Sequence, residues 1–235
     1  MQNFTGTIAG VQSSVESCLS HRERKKQATR RALHDAAFEL ADRHGLAHTT
    51  VEAISDQAGV APRTFWSYFS SKEDAVINRD PDRPDRLRQA LLARPAGEDA
   101  ATALRRVLER DLADRVQDSG RALRRQRLIR REPNLMAATA AAFDEIERAL
   151  VAAVAERLGV DPETDLLPGV LVMAAGGACR VAQQHWVDSG GRRAFPDLVG
   201  EAFARMAEGL SPAAGPGRTA TAGTDETDYE EGSGR

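Results

Sequence analysis

The chain has 235 residues, 41% hydrophobic but only 5% aromatic, and a formal net charge of −3. A core of that composition consists largely of Ala, Leu and Val, which favours close helix packing over a β-sandwich; the acidic balance excludes a uniformly basic nucleic-acid coat, so any DNA-binding charge has to be local. Two distant cysteines, Cys18 and Cys179, offer neither metal-ligand spacing nor a disulfide framework, and no apolar run approaches the roughly 20 residues that span a bilayer. The N-terminus lacks the charged-then-apolar order of a signal peptide. The expectation is an all-α, cytoplasmic protein with no membrane partner.

In chain order, residues 1–20 mix Gly, Ser and Thr without a sustained period and are expected to be poorly ordered. His21 to Arg31, HRERKKQATRR, sets seven Lys, Arg or His against one Glu. Such a run is usually a solvated helix end. Beside a DNA-docking unit it becomes an arm along the phosphate backbone, with Lys25, Lys26 and Arg30 as the contacts, and each phosphate neutralised steepens the log–log salt dependence by about 0.9. The helix continues to His44 on a stripe of Leu33, Ala36, Ala37, Leu40 and Ala41, and Gly45 ends it. His34, His44 and His48 have no ligand constellation with Cys or carboxylates and read as surface residues rather than metal ligands.

Thr49 to Asp74 reads as a helix-turn-helix. Thr50 is an N-cap type, and Val51, Ile54 and Ala58 then share one helical face. Gly59 supplies the positive φ of a sharp turn, and Pro62 opens a second helix. Phe65 and Phe69 face inward at i and i+4. Arg63, Thr64, Trp66, Ser67 and Tyr68 remain on the outer surface. Ser71 and Asp74 have capping-box spacing, so a third helix starts at about Lys72. A guanidinium near a recognition-helix N-terminus pairs with guanine O6 and N7, and the Thr64 methyl suits a thymine. Ser67 reaches several base edges, the Trp66 N–H and Tyr68 O–H suit phosphate oxygens, and Thr50 and Lys72 add helix N-termini that attract anions. A plain three-helix bundle accounts for Phe65 and Phe69 but leaves Trp66 and Tyr68 off the apolar face.

The run TTVEAISDQAGVAPRTFWSYFSSKEDAV resembles the N-terminal domain of TetR-type bacterial transcriptional regulators, over about Arg24 to Ile77. Ala61 stands where that family often has Ser, so the recognition helix loses its usual N-cap. Trp66 stands where Tyr is usual, and Ser55 replaces a common Ala. The resemblance implies a repressor that a small ligand releases from DNA.

Asp80 to Arg86, DPDRPDR, interrupts the helical pattern and marks a boundary. Helical segments follow: Leu87 to Arg94, Asp99 to about Val116, and a basic segment from Arg121 to Arg131. This last is read as neutralised by acidic neighbours, with a second DNA contact or capture of an anionic effector as alternatives. A long helix runs from about Asn134 to Leu158. The most apolar stretch, Leu166 to Trp186, holds Gly176 and Gly177 mid-helix, where Gly costs about 1 kcal/mol relative to Ala. Two in succession suggest that something comes close there, either another helix or a ligand. Phe143, Met173, Gly176, Gly177, Arg180 and Gln184 are the candidate effector contacts. A last helix from Pro196 to Leu210 carries an apolar stripe that needs a partner face, and with Leu166 to Trp186 it could form half of an intermolecular four-helix bundle.

The predicted organisation is a three-helix helix-turn-helix DNA-binding domain over 21–79 and a larger helical ligand-binding and dimerisation domain over 85–210. Residues 211–235 are expected to be disordered. The partners implied are a pseudo-palindromic double-stranded DNA operator, a second copy of the chain and a small-molecule effector. The order of segments from Leu87 to Leu210, with "ARPAGED", "EPNL" and "ERLGVDPETD", is similar to the MftR-like subgroup of that family, which implies an acyl-CoA or another hydrophobic anion. An activator, or an effector-independent DNA-binding protein of the same fold, is the alternative. No Gly-rich phosphate loop, G-x-S-x-G or HExxH is present, so no catalytic activity, cofactor or metal is expected.

Overall fold

The computed structural model describes residues 6–115 and 119–209, with side chains over 21–113 and 119–209. The described residues form ten α-helices and one 3-10 turn, with no strand among them. The first helix, α1 (Gly6–His44), starts inside the stretch expected to be poorly ordered. Extending a helix from an anchored segment costs far less than nucleating one, which accounts for the difference. The expected disordered tail, 211–235, lies outside the described residues.

The N-terminal head packs α1 against α2 (Val51–Gln57), α3 (Pro62–Phe65) and α4 (Lys72–Ile77). Leu33, Phe38, Ile54, Phe65 and Val76 are fully buried at its centre, each contributing about 1.5–3 kcal/mol of apolar burial. His34, expected at the surface, is buried, and its Nδ1–H donates to the Ala75 carbonyl at 2.8 Å. The ring clamps α1 to α4 on a face otherwise occupied by apolar side chains. Ser55 is also fully buried, and its Oγ has no hydrogen-bond partner among the described residues.

The break expected over Asp80 to Arg86 is shorter than its composition implies. Helix α5 (Arg83–Leu92) begins within it, because Pro84 occupies the first turn, where its missing N–H has no intrahelical partner to lose. The larger body consists of α5, α6 (Ala100–Arg115), α7 (Ser119–Arg131), α8 (Pro133–Leu158), α9 (Leu167–Asp188) and α10 (Phe195–Ala207). Leu91, Leu104, Leu150, Val154, Trp186 and Phe203 lie in its core.

Helix α7 joins the two parts. Leu128 and Ile129 from α7, and Leu135 from α8, complete the hydrophobic core of the head. Its basic face is neutralised by neighbours: Arg121 pairs with Asp35 of α1 at 2.6 Å, Arg124 approaches Glu39 and Asp42 of α1, and Arg130 pairs with Asp188 of α9 at 2.6 Å. Arg121 and Arg124 also lie over the Phe38 ring. This positive stretch therefore fastens the body to α1.

Candidate nucleic-acid interface and adjoining cavity

The head presents its polar surface through local chemistry visible in the sequence. The Thr50 hydroxyl accepts the Ala53 N–H at 3.2 Å and caps α2. Gly59 has φ +67, and the chain reverses there. Ala61 precedes α3 with no side-chain cap, and Pro62 takes the first turn. α3 is short, and a turn continues it: the Tyr68 and Phe69 N–H groups both donate to the Phe65 carbonyl, at 2.9 and 3.1 Å. Ser71 caps α4 by accepting the Asp74 N–H at 3.0 Å. Phe65 and Phe69 are buried and stack at 5.9 Å, so the residues between them turn outward.

Arg63 and Ser67 are exposed, Trp66 is 59% exposed, and Thr64 and Tyr68 are half-buried. Lys25 and Lys26 are exposed on α1. Thr50 is exposed, with one lone pair spent on its cap. These positions are free to meet a phosphate or a base.

Two of the expected backbone contacts are committed elsewhere. Arg30 donates to the Tyr68 carbonyl at 2.9 Å and to the Arg79 carbonyl, and its guanidinium sits 4.4 Å from the centre of the Phe69 ring. Burial lowers its pKa against the pull of Asp80 and Asp82, which raise it. The side chain is thus engaged as a brace inside the head. Lys72 donates from Nζ to the Leu46 carbonyl at 2.8 Å and the Thr49 carbonyl at 3.1 Å. Only one of its three N–H groups remains for a phosphate. Both residues are polar groups near a DNA-facing element, and spacing alone does not separate a brace from a contact.

Below the head lies a cavity in two lobes that share Arg83, Leu112, Phe143, Ile146, Gln183 and Phe195. The first lobe abuts the link to the head, with Asn78, Arg79 and Asp80 in its wall. Asn78 closes α4 in the left-handed region, φ +55, a conformation that Asn tolerates better than most residues. The second lobe is lined by Leu108, Leu150 and Val172, among others, and is strongly apolar.

Of the effector contacts expected from sequence, Phe143 lines both lobes, while Met173, Gly176 and Arg180 line the second. Gly177 lies instead on an outer groove between α9 and α10, and Gln184 lines neither lobe. A Cβ added at Gly176 or Gly177 would meet nothing within 4 Å. The expected close approach at the paired glycines is therefore absent within the protomer: one faces the cavity and the other the groove. The sequence reading missed Arg125, Thr139, Gln183 and Trp186, all in the first lobe. Arg125 did carry a signal, since it shares a helical face with the buried Ala122 and Ile129.

Electrostatic contacts run from the cavity wall to the end of the recognition element. Glu145, on the first lobe, pairs with Arg79, which also approaches Asp74 at 3.5 Å. The side-chain bond to Glu145 raises the Arg79 pKa against burial. The Arg79 carbonyl in turn receives Arg30, and Arg30 holds the Tyr68 carbonyl.

Comparison with known proteins agrees with this layout. A family model described as bacterial regulatory proteins, tetR family, matches residues 33–76. A second, described as the MftR C-terminal domain, matches residues 98–211. The chain is 33% identical over 199 residues to the HTH-type transcriptional regulator TcmR of Streptomyces glaucescens, covering 81% of this chain and 86% of that protein. Among solved structures, the fatty acid degradation regulator FadR of Bacillus halodurans superposes with a TM-score of 0.53 at 19% identity, over 79% of this chain and 97% of that one. SmeT, the repressor of the Stenotrophomonas maltophilia multidrug efflux pump SmeDEF, superposes with a TM-score of 0.52 at 17% identity, over 77% and 89%. The structural likenesses establish the fold, and the sequence matches establish the lineage: the chain belongs to the TetR family of DNA-binding bacterial transcriptional regulators.

Proposed function

We propose that the protein is a homodimeric repressor that reads a pseudo-palindromic operator and is released from it by a hydrophobic anion bound in the cavity. The observation that carries this reading is the position of the first lobe, whose wall includes Arg79 and Asp80 of the link to the head. A ligand that prefers one arrangement of the Glu145–Arg79 pair biases the Arg30 brace and with it the recognition element. Coupling between two such sites is a differential affinity for two states, typically about 1–3 kcal/mol.

One recognition helix contacts few base pairs, so two heads at fixed spacing supply the specificity. The outer groove between α9 and α10 supports the pairing. Val170, Ala174, Gly177 and Val181 form one stripe along α9, with Val170 and Val181 more than half exposed. The open space over Gly177 admits a facing helix from a second copy.

Fluorescence anisotropy of labelled operator tests the release. With a panel of acyl-CoAs and other apolar anions, at least one class weakens operator affinity about 5–150-fold. Glu145→Gln retains operator binding and narrows that change. An operator affinity that no member of the panel alters would remove the effector from this reading and leave a constitutive DNA-binding protein.

A further inference from the structure

We propose that Arg125 is the anion anchor of the cavity: it grips the oxyanion of a ligand whose apolar body extends into the second lobe. This rests on the reading that the cavity takes a small molecule, and it names the ligand's chemistry and the residue that selects it.

The charged groups around the first lobe are nearly all satisfied within the protein. Arg83 donates to both carboxylate oxygens of Asp111, with the shortest contact at 2.5 Å. Arg79 is held by Glu145 and Asp74 through its two terminal nitrogens, with its Nε buried and unpartnered among the described residues, and Asp80 is held by Arg86 at 2.6 Å. Arg125 has no hydrogen-bond or carboxylate partner among the described residues, although it is largely enclosed between α7 and the cavity. Burial lowers its pKa, and the neighbouring Arg121 lowers it further. A guanidinium remains charged under these conditions, so it carries an uncompensated desolvation cost in the free protein. In the same lobe, the Thr139 Oγ1 is buried with no hydrogen-bond partner among the described residues, and it can donate to the same anion. A carboxylate or a phosphate ester matches the planar fork of the guanidinium through two parallel bonds.

The adjoining lobe is apolar, with Leu108, Leu150, Val172 and Met173 on its wall. A ligand charged at one end and aliphatic along its length fits this polarity. Arg180, the cation that the sequence pointed to, is exposed on the second lobe. It keeps its hydration and gains less from an anion.

The test compares dodecanoate, dodecyl phosphate and dodecan-1-ol, which share a chain and differ in the head. Binding is read from Trp186 fluorescence in a Trp66→Phe background, since Trp186 lines the first lobe and the chain has two tryptophans. At least one anion is expected to bind about tenfold or more tightly than the alcohol, and whichever does so identifies the oxyanion. Arg125→Gln removes that preference while keeping alcohol binding, Arg125→Lys keeps a smaller preference, and Arg180→Gln keeps it whole. Equal binding of all three ligands, binding of none, or loss of the preference in Arg180→Gln alone would overturn the anchor. Operator affinity, measured in parallel on the same Arg125 and Arg180 variants with Trp66 retained, separates the two readings. Arg125-dependent anion binding without release of DNA sinks the release mechanism only, whereas release by the alcohol at equal potency sinks the anchor only.

Discussion

Arg30 and Arg63 carry the same charge and spend it differently. Arg63 is exposed at the start of α3, the position from which we propose it reads a guanine edge. Arg30 is half-buried, bonded to two carbonyls and stacked on Phe69. Arg63→Ala is expected to cost about 1–3 kcal/mol of operator affinity at one base position while leaving thermal stability unchanged. Arg30→Ala is expected to lose about 2–3 kcal/mol of folding stability, with no change in the salt slope of DNA binding, because no phosphate contact is removed. Paired melting curves and salt titrations separate the roles, and a flatter salt slope for Arg30→Ala would restore it to the DNA backbone. Cys179 adds a pH prediction. Burial pushes its thiol up to about 11, against the pull of Arg83. The unfolded thiol ionises at about 8.5, so between those limits the unfolded chain releases a proton that the fold retains. Stability is therefore full below the unfolded value and falls as pH rises beyond it. Cys179→Ala is expected to show a shallower loss of stability between pH 8.5 and 11, and equal slopes for the two proteins would contradict the assigned burial.

At the scale of elements, the legible parts of the chain were those fixed by short-range chemistry. The Thr50 and Ser71 caps, the positive φ at Gly59, the uncapped Ala61 and the inward Phe65 and Phe69 all lie where their spacing placed them. What spacing could not reveal depends on contacts between distant segments. The Lys72 ammonium reaches back to Leu46 and Thr49, His34 reaches Ala75, and α7 donates Leu128 and Ile129 to a core that belongs to the head. The paired glycines marked open faces of α9 as clearly as they marked proximity, and only the fold assigns Gly176 to the cavity and Gly177 to the groove. The boundary at Asp80 is consequently not a mechanical break. Leu128→Ala, a truncation in the body, is expected to destabilise the head by about 2–5 kcal/mol. Hydrogen exchange would show the loss of protection in α1 and α4, and protection unchanged there would mean that head and body fold independently.

For the whole molecule, a net charge of −3 coexists with a DNA-binding surface because the positive groups are partitioned. The arginines of α7 are mostly tied to acidic partners in α1 and α9, while Lys25, Lys26 and Arg63 stay exposed at the head. In the proposed dimer, specific binding depends on base contacts and on two heads acting together as well as on this local positive charge. The most direct test is a gel shift of the purified protein on the DNA flanking its own gene, at physiological salt with excess non-specific competitor. A discrete, competitor-resistant complex of two protomers on a pseudo-palindrome, lost when one half-site is scrambled, is the predicted result. Binding that is weak, abolished by salt and equal on scrambled DNA would contradict the account of a paired, sequence-reading head.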